Sequence, residues 1–135
     1  MLVELFLLQR IDNTKMKIAV STDDYKNISG HVERCEGFLI FIVENGEIKN
    51  KEIRENLFTH HRRSSAHHHD GKMDGRYGYG KLASGLSDCN YLICQDCGWR
   101  LIEDLKQAGI KSIITRETDA ETAAVKLEKS ELGVD

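Results

Sequence analysis

The eight residues from Gly37 to Glu44, GFLIFIVE, are apolar on both alternating sets: Phe38, Ile40 and Ile42 on one, Leu39, Phe41 and Val43 on the other. Side chains of a strand point alternately to opposite faces, so a strand of this pattern needs cover on both sides and belongs inside a sheet. Asn45-Gly46 follows, two residue types that tolerate positive φ in a tight hairpin, and the chain returns along Glu47 to Arg54. The returning segment carries Lys49, Lys51 and Glu52, as an edge strand does.

Around this hairpin the remaining signals alternate between strand and helix. Lys17 to Ser21 is a short apolar run with β-branched members and reads as a buried first strand. Tyr79, Leu82, Ala83 and Leu86 fall at helical spacing, Tyr91 to Cys94 is a short strand, and a helix from about Gly98 to Ala108 uses Leu101, Ile102 and Leu105. Gly109 can take the left-handed conformation that stops that helix. Lys111 to Thr115 is another buried strand. Thr118-Asp119-Ala120-Glu121 has the form of a capping box before a last helix whose inward face is Ala120, Ala123, Ala124 and Leu127. The order predicts an α/β domain with helices covering a mixed sheet, right-handed crossovers keeping the last two strands parallel to a neighbour.

Composition limits the function classes. With 135 residues, 40% apolar and 30% charged, the chain has the size and balance of one domain with one core. A formal charge of −3 and no basic tract longer than Arg62-Arg63 argue against a nucleic-acid binder, which needs a positive face for phosphates. The opening MLVELFLLQRIDNTK has an apolar run only from Leu2 to Leu8, interrupted by Glu4, and reads as neither signal peptide nor membrane span. Because Met16 begins the clean strand MKIAVST, the domain is expected over residues 16–132, with 1–15 a poorly ordered extension. Four cysteines without a secretory signal read as cytoplasmic thiols, ligands or redox groups rather than a disulfide frame.

Three clusters carry the chemistry. In SGHVERCEGF, between the first two strands, His31 and Cys35 lie four positions apart with Arg34 beside them. An imidazole and a thiolate suit zinc or iron, and the guanidinium could balance an anionic cofactor. Taken alone, a buried cysteine and a solvated histidine explain this cluster as well. In HHRRSSAHHHD, five of the six histidines, His60, His61, His67, His68 and His69, lie within ten positions on a stretch from Glu55 to Arg76 that has no periodic apolar signal. Imidazole is the commonest metal ligand at neutral pH, so the cluster points to metal or a metal cofactor; a merely hydrophilic loop is the competing reading.

The third cluster, Cys94-Gln95-Asp96-Cys97-Gly98, joins a strand end to a helix start, where the helix dipole favours a thiolate and makes Cys97 the more reactive thiol. One cysteine pair is half of a structural zinc site. The thioredoxin-like reading expects a proline facing the disulfide and the chain has none, which demotes redox exchange without excluding it. Cys89 reads as a small buried hydrophobe. Asp23 or Asp24 with Asp96 could seed a two-metal hydrolase, but the further acids such a site needs are not placed. No phosphate-cradling glycine fingerprint follows the first strand, and no serine nucleophile elbow is present.

Taken together, MKIAVSTDD, ISGHVERCEGFLIFIVENGEI, the His-rich middle and LSDCNYLICQDCGWRLIEDLKQAGIKSIIT resemble the dinitrogenase iron–molybdenum cofactor-binding family, the nitrogenase accessory proteins and their relatives, over Met16 to Leu132. The resemblance implies a ribonuclease-H-like three-layer fold with a five-stranded mixed sheet. It also implies noncatalytic binding or carrying of an iron–sulfur or iron–molybdenum cluster, with a cluster-donating or cluster-accepting protein as partner and neither nucleic acid nor membrane. His31 and Arg34 match the family's loop histidine and arginine, and Cys35 matches a cysteine found in many members. The family usually has phenylalanine and glycine at Val32 and Glu33, and a glycine-rich turn where Gln95-Asp96-Cys97 stand before Gly98. On this reading an anionic cluster docks on free amides at Gly98, with Cys35, Cys94, Cys97 or His31 as ligands. The alternatives are an enzyme using Cys94 and Cys97, and a regulatory domain that keeps the fold without a ligand.

Overall fold

The computed structural model describes residues 15–57 and 81–132. Five strands form one mixed sheet: β1 (Met16–Thr22), β2 (Gly37–Glu44), β3 (Glu47–Glu55), β4 (Tyr91–Cys94) and β5 (Lys111–Ile114), in the spatial order β3-β2-β1-β4-β5. β2 runs antiparallel to both neighbours, while β1, β4 and β5 are mutually parallel. The doubly apolar β2 therefore sits inside the sheet and the charged β3 at its edge, as the pattern requires. Asn45 and Gly46 take φ of 52° and 77°, the positive values that let two residues reverse the chain.

Alternation along each strand divides the core in two. Ala19, Phe38, Ile40, Leu92 and Cys94 point to one face, where they meet Leu82 and Leu86 around the helical residues 81–85 (α1) and Leu101 and Leu105 of α2 (Trp99–Gln107). Ile18, Val20, Leu39, Phe41 and Ile93 point to the other, under Ala120, Ala123 and Ala124 of α3 (Ala120–Glu128). The result is three layers, helix on sheet on helix, each interior built from apolar side chains that are essentially without solvent contact. Gly109, at φ 85°, ends α2 as expected.

Helix starts differ in detail from the sequence reading. Asp119, not Thr118, caps α3: its carboxylate accepts from the Thr122 N–H at 2.9 Å and from the Thr122 hydroxyl at 2.7 Å. An aspartate one position nearer the apolar face satisfies the open N–H groups better than the threonine before it. Glu121 does not close a capping box, since its carboxylate pairs with Lys51 on β3 at 3.4 Å. On the first face, Arg54 fastens the edge strand to the end of α1. It donates to the Gly85 carbonyl at 2.9 Å and, through both terminal nitrogens, to Asp88 at 2.9 and 2.7 Å.

Candidate functional site

Because β1 and β4 are adjacent and parallel, the loops leaving their C-terminal ends emerge on the same edge of the molecule. Thr22 pairs with Gly37, Gly37 with Glu55, and Cys94 with Ile114, so that edge also gathers the start of β2 and the ends of β3 and β5. Every buried polar residue among the described residues, Ser21, Thr22, Ser29, Asn56 and Thr115, lies here. Polar groups are buried at low cost where they are bonded, so this end is built from hydrogen bonds where most of the core is built from packing.

The 23–36 loop folds back over β1. Ser29 N–H donates to the Ser21 carbonyl at 2.8 Å and the two hydroxyls meet at 2.9 Å; Ile28 N–H donates to the Thr118 carbonyl at 2.7 Å, tying the loop to the segment before α3. Asp24 organises the turn by accepting from the backbone of Lys26 and Asn27 and from the Asn27 amide, and these bonds pull its carboxyl down to about 2. Asp23 accepts from the Glu36 N–H at 3.1 Å. Of the three aspartates considered for metal-assisted hydrolysis, Asp23 and Asp24 thus hold the loop together.

The loop's far end reaches the turn after β4. His31 Nδ1 lies 3.3 Å from Asp96 Oδ2, Val32 N–H donates to the Asp96 carbonyl at 3.4 Å, and Gly98 N–H donates to Glu33 Oε2 at 3.1 Å. The segments 31–35 and 94–98, separated by some sixty positions in sequence, therefore form one rim, with His31, Arg34 and Asp96 exposed. The Gly98 amide is not free for a guest, because the Glu33 carboxylate already occupies it. An anion is favoured at a helix start, and the chain supplies its own.

Beneath the rim, Cys35, Cys94 and Cys97 share one core cluster with Val32, Phe38 and Leu101. Cys35 has no exposed surface; its Sγ accepts from the Asn56 amide at 3.6 Å and its carbonyl accepts from the same amide at 2.9 Å. Burial pushes the Cys35 thiol up to about 12, outweighing hydrogen bonds from the Thr22 and Gly37 backbone and from Asn56. Cys94 is also raised, by its hydrogen bond to the Cys97 thiol first and by burial second. Cys97 retains 7% exposure, so the helix start does not display it as an open thiol. Cys89 is the buried hydrophobe its context implied: it stands before β4, near the opposite end of that strand, 4% exposed, and burial pushes its thiol to about 12.

Among the described residues no three His, Cys, Asp or Glu side chains are close enough together to hold a metal ion. His60, His61, His67, His68 and His69 lie outside the described residues, as do Arg62 and Arg63. Sequence reasoning missed Glu33, Asp96 as the partner of His31, and Asn56. Nothing in a single sequence pairs Glu33 with Gly98 or aims Asn56 at a thiol twenty-one positions earlier.

These features define a three-layer α/β domain with a thiol-rich, hydrogen-bonded site at one end of its sheet. The family profile described as dinitrogenase iron–molybdenum cofactor matches residues 14–130, and the chain belongs to that family. An uncharacterized protein of Methanocaldococcus jannaschii is 37% identical over 98 residues, 70% of each chain. Solved structures share the fold. The protein PH0822 superposes with a TM-score of 0.64 at 22% identity, covering 89% of this chain and 96% of that one. The apo form of the orange protein from Desulfovibrio gigas gives 0.63 at 18% identity, covering 89% and 92%. No helix among the described residues is long and apolar enough to cross a membrane.

Proposed function

We propose that this domain binds an iron–sulfur or iron–molybdenum cluster as cargo, without catalysing a reaction on it, at the sheet end formed by segments 31–35 and 94–98. The observation that carries the reading is that segments 31–35 and 94–98, which carry Cys35, Cys94 and Cys97, are joined into one rim by the Val32–Asp96 and Glu33–Gly98 hydrogen bonds, in a chain whose family is described by that cofactor. Thiolates are the ordinary ligands of iron–sulfur clusters, so the donor set suits the cargo. Burial keeps Cys35 protonated, so loading requires the rim to open and the thiols to give up protons.

In the open form Cys35, Cys94, Cys97 or His31 supplies ligands to iron, Arg34 offsets negative charge, and Gly98 offers its amide once Glu33 withdraws. His60, His61, His67, His68 and His69 are assigned to the same role from their sequence alone. The strand order, with β2 alone reversed, supports a ribonuclease-H-like assignment for the fold. A cytoplasmic protein that donates or accepts clusters completes the reading.

Anaerobic reconstitution with ferrous iron and sulfide, followed by elemental analysis, tests it. Stoichiometric iron with visible absorbance is expected, and Cys35→Ala and removal of His67 to His69 should each lower retention. A colourless protein holding one zinc would replace the cluster reading with a mononuclear site, and unchanged retention in both variants would reject those ligands.

A further inference from the structure

We infer that Cys94 and Cys97 form a redox-active dithiol, closing to an intramolecular disulfide by exchange with low-molecular-weight disulfides and thereby withdrawing both sulfurs from the cluster site. The second half rests on the cargo reading above; the first does not. Three features of the chain carry it.

Strand β4 ends at Cys94 and α2 begins at Trp99 behind the cap residue Gly98, so the chain turns between the two cysteines, and both side chains enter the core on the same face of the sheet. The two thiols lie three positions apart in one core cluster, and Cys97 acts directly on Cys94 to hold its thiol protonated, so no large rearrangement separates them from bonding. Their accessibility is graded: Cys94 has no exposed surface and Cys97 retains 7%, which makes Cys97 the entry point for a small reagent and Cys94 the resolving thiol. Cys89 precedes β4 and is excluded from the pair by the length of that strand, while Cys35 is held by Asn56 on the other segment of the rim.

The exchange balances without further reagents. The Cys97 thiolate attacks one sulfur of glutathione disulfide, forming a mixed disulfide and expelling one glutathione thiolate, which takes up the proton Cys97 released. Cys94 loses its proton and attacks the Cys97 sulfur; the second glutathione leaves as thiolate and is protonated in turn. Two protein thiols are oxidised to one disulfide and one glutathione disulfide is reduced to two thiols. The rim senses the change because Asp96 and Gly98, which flank Cys97, carry its bonds to Val32 and Glu33.

The test uses the full chain in glutathione buffers of graded ratio, quenched by acid and read by intact mass and a non-reducing peptide map. Loss of two hydrogens with a Cys94–Cys97 link is expected, along with a stable glutathione adduct at Cys97 in Cys94→Ser. Trp99, the chain's single tryptophan, is exposed two positions from Cys97 and follows the transition by fluorescence. No loss of hydrogen in wild type, or a link through Cys35 or Cys89, overturns the dithiol. Oxidised and re-reduced samples are then reconstituted anaerobically: several-fold less iron on the oxidised form supports the gate, and equal iron overturns it. If the reduced protein takes up no iron, the cargo reading fails while the mass data still decide the dithiol.

Discussion

Removing the Asn56 side chain should make Cys35 easier to modify, although the same change makes the closed-state thiol less acidic. In the folded protein burial moves Cys35 from an ordinary 9.0 to about 12, so at neutral pH about a thousandth as many molecules carry its thiolate as in an unfolded chain. With no exposed surface, reaction must pass through opening of the 31–35 segment. The Asn56 amide holds that segment by donating to the Cys35 carbonyl at 2.9 Å, a buried bond contributing about 1 kcal/mol net, so Asn56→Ala should raise the open population about fivefold. The amide also donates to Cys35 Sγ and lowers its pKa, so attack on the closed form would be slower in the variant. The two routes therefore differ in sign. Timed iodoacetamide labelling with peptide mass spectrometry reads it, using Cys89, also pushed to about 12 but near the other end of β4, as internal control. A Cys35 rate that falls in Asn56→Ala, or a wild-type rate equal to that of the denatured chain, refutes gated access to the thiol site.

Two further outcomes follow from the frame that holds the site. Asp88 receives both Arg54 contacts and Lys17 at 2.6 Å, and the Arg54 guanidinium holds its carboxyl well below the usual aspartate range. A depressed carboxylate contributes stability that is complete above its unfolded pKa and lost as pH falls toward the folded one. With Asp88 42% exposed and screened, Asp88→Asn should cost about 1 kcal/mol at pH 7 and flatten the decline of the urea midpoint below pH ~4; an unchanged decline would contradict the assignment. At the site end, a Cβ on Gly37 would stand 2.6 Å from the Arg54 carbonyl and collide with the Tyr25 ring. Gly37→Ala should therefore cost about 1–3 kcal/mol in urea unfolding, and full stability would refute the close approach of loop and edge strand.

Much of the scaffold was legible because it depends on local periodicity. The double alternation of Gly37 to Glu44 required an interior strand, Asn45-Gly46 required a hairpin, and Gly109 required a helix stop, each a property of a few consecutive residues. Cap placement was harder, since Thr118 and Asp119 are both good caps and the choice fell to the residue whose carboxylate reaches the Thr122 N–H. The site was legible in part. Residue type singled out His31, Cys35 and the Cys94/Cys97 pair, but not their state, because acidity depends on what surrounds a thiol rather than on its neighbours in sequence.

The sequence by itself determined which described segments form the strands and the last two helices, which strand lies inside and which at the edge, and which side chains carry sulfur or imidazole. Only the tertiary structure decided that β1 and β4 run side by side, bringing two loops sixty positions apart to one rim, that Glu33 fills the amide at Gly98, and that Cys35 and Cys94 beneath are closed off from solvent while Cys97 keeps a small opening. Periodicity is written in nearest neighbours, whereas strand pairing, burial and the charge beside a buried group arise from contacts between residues distant in the chain.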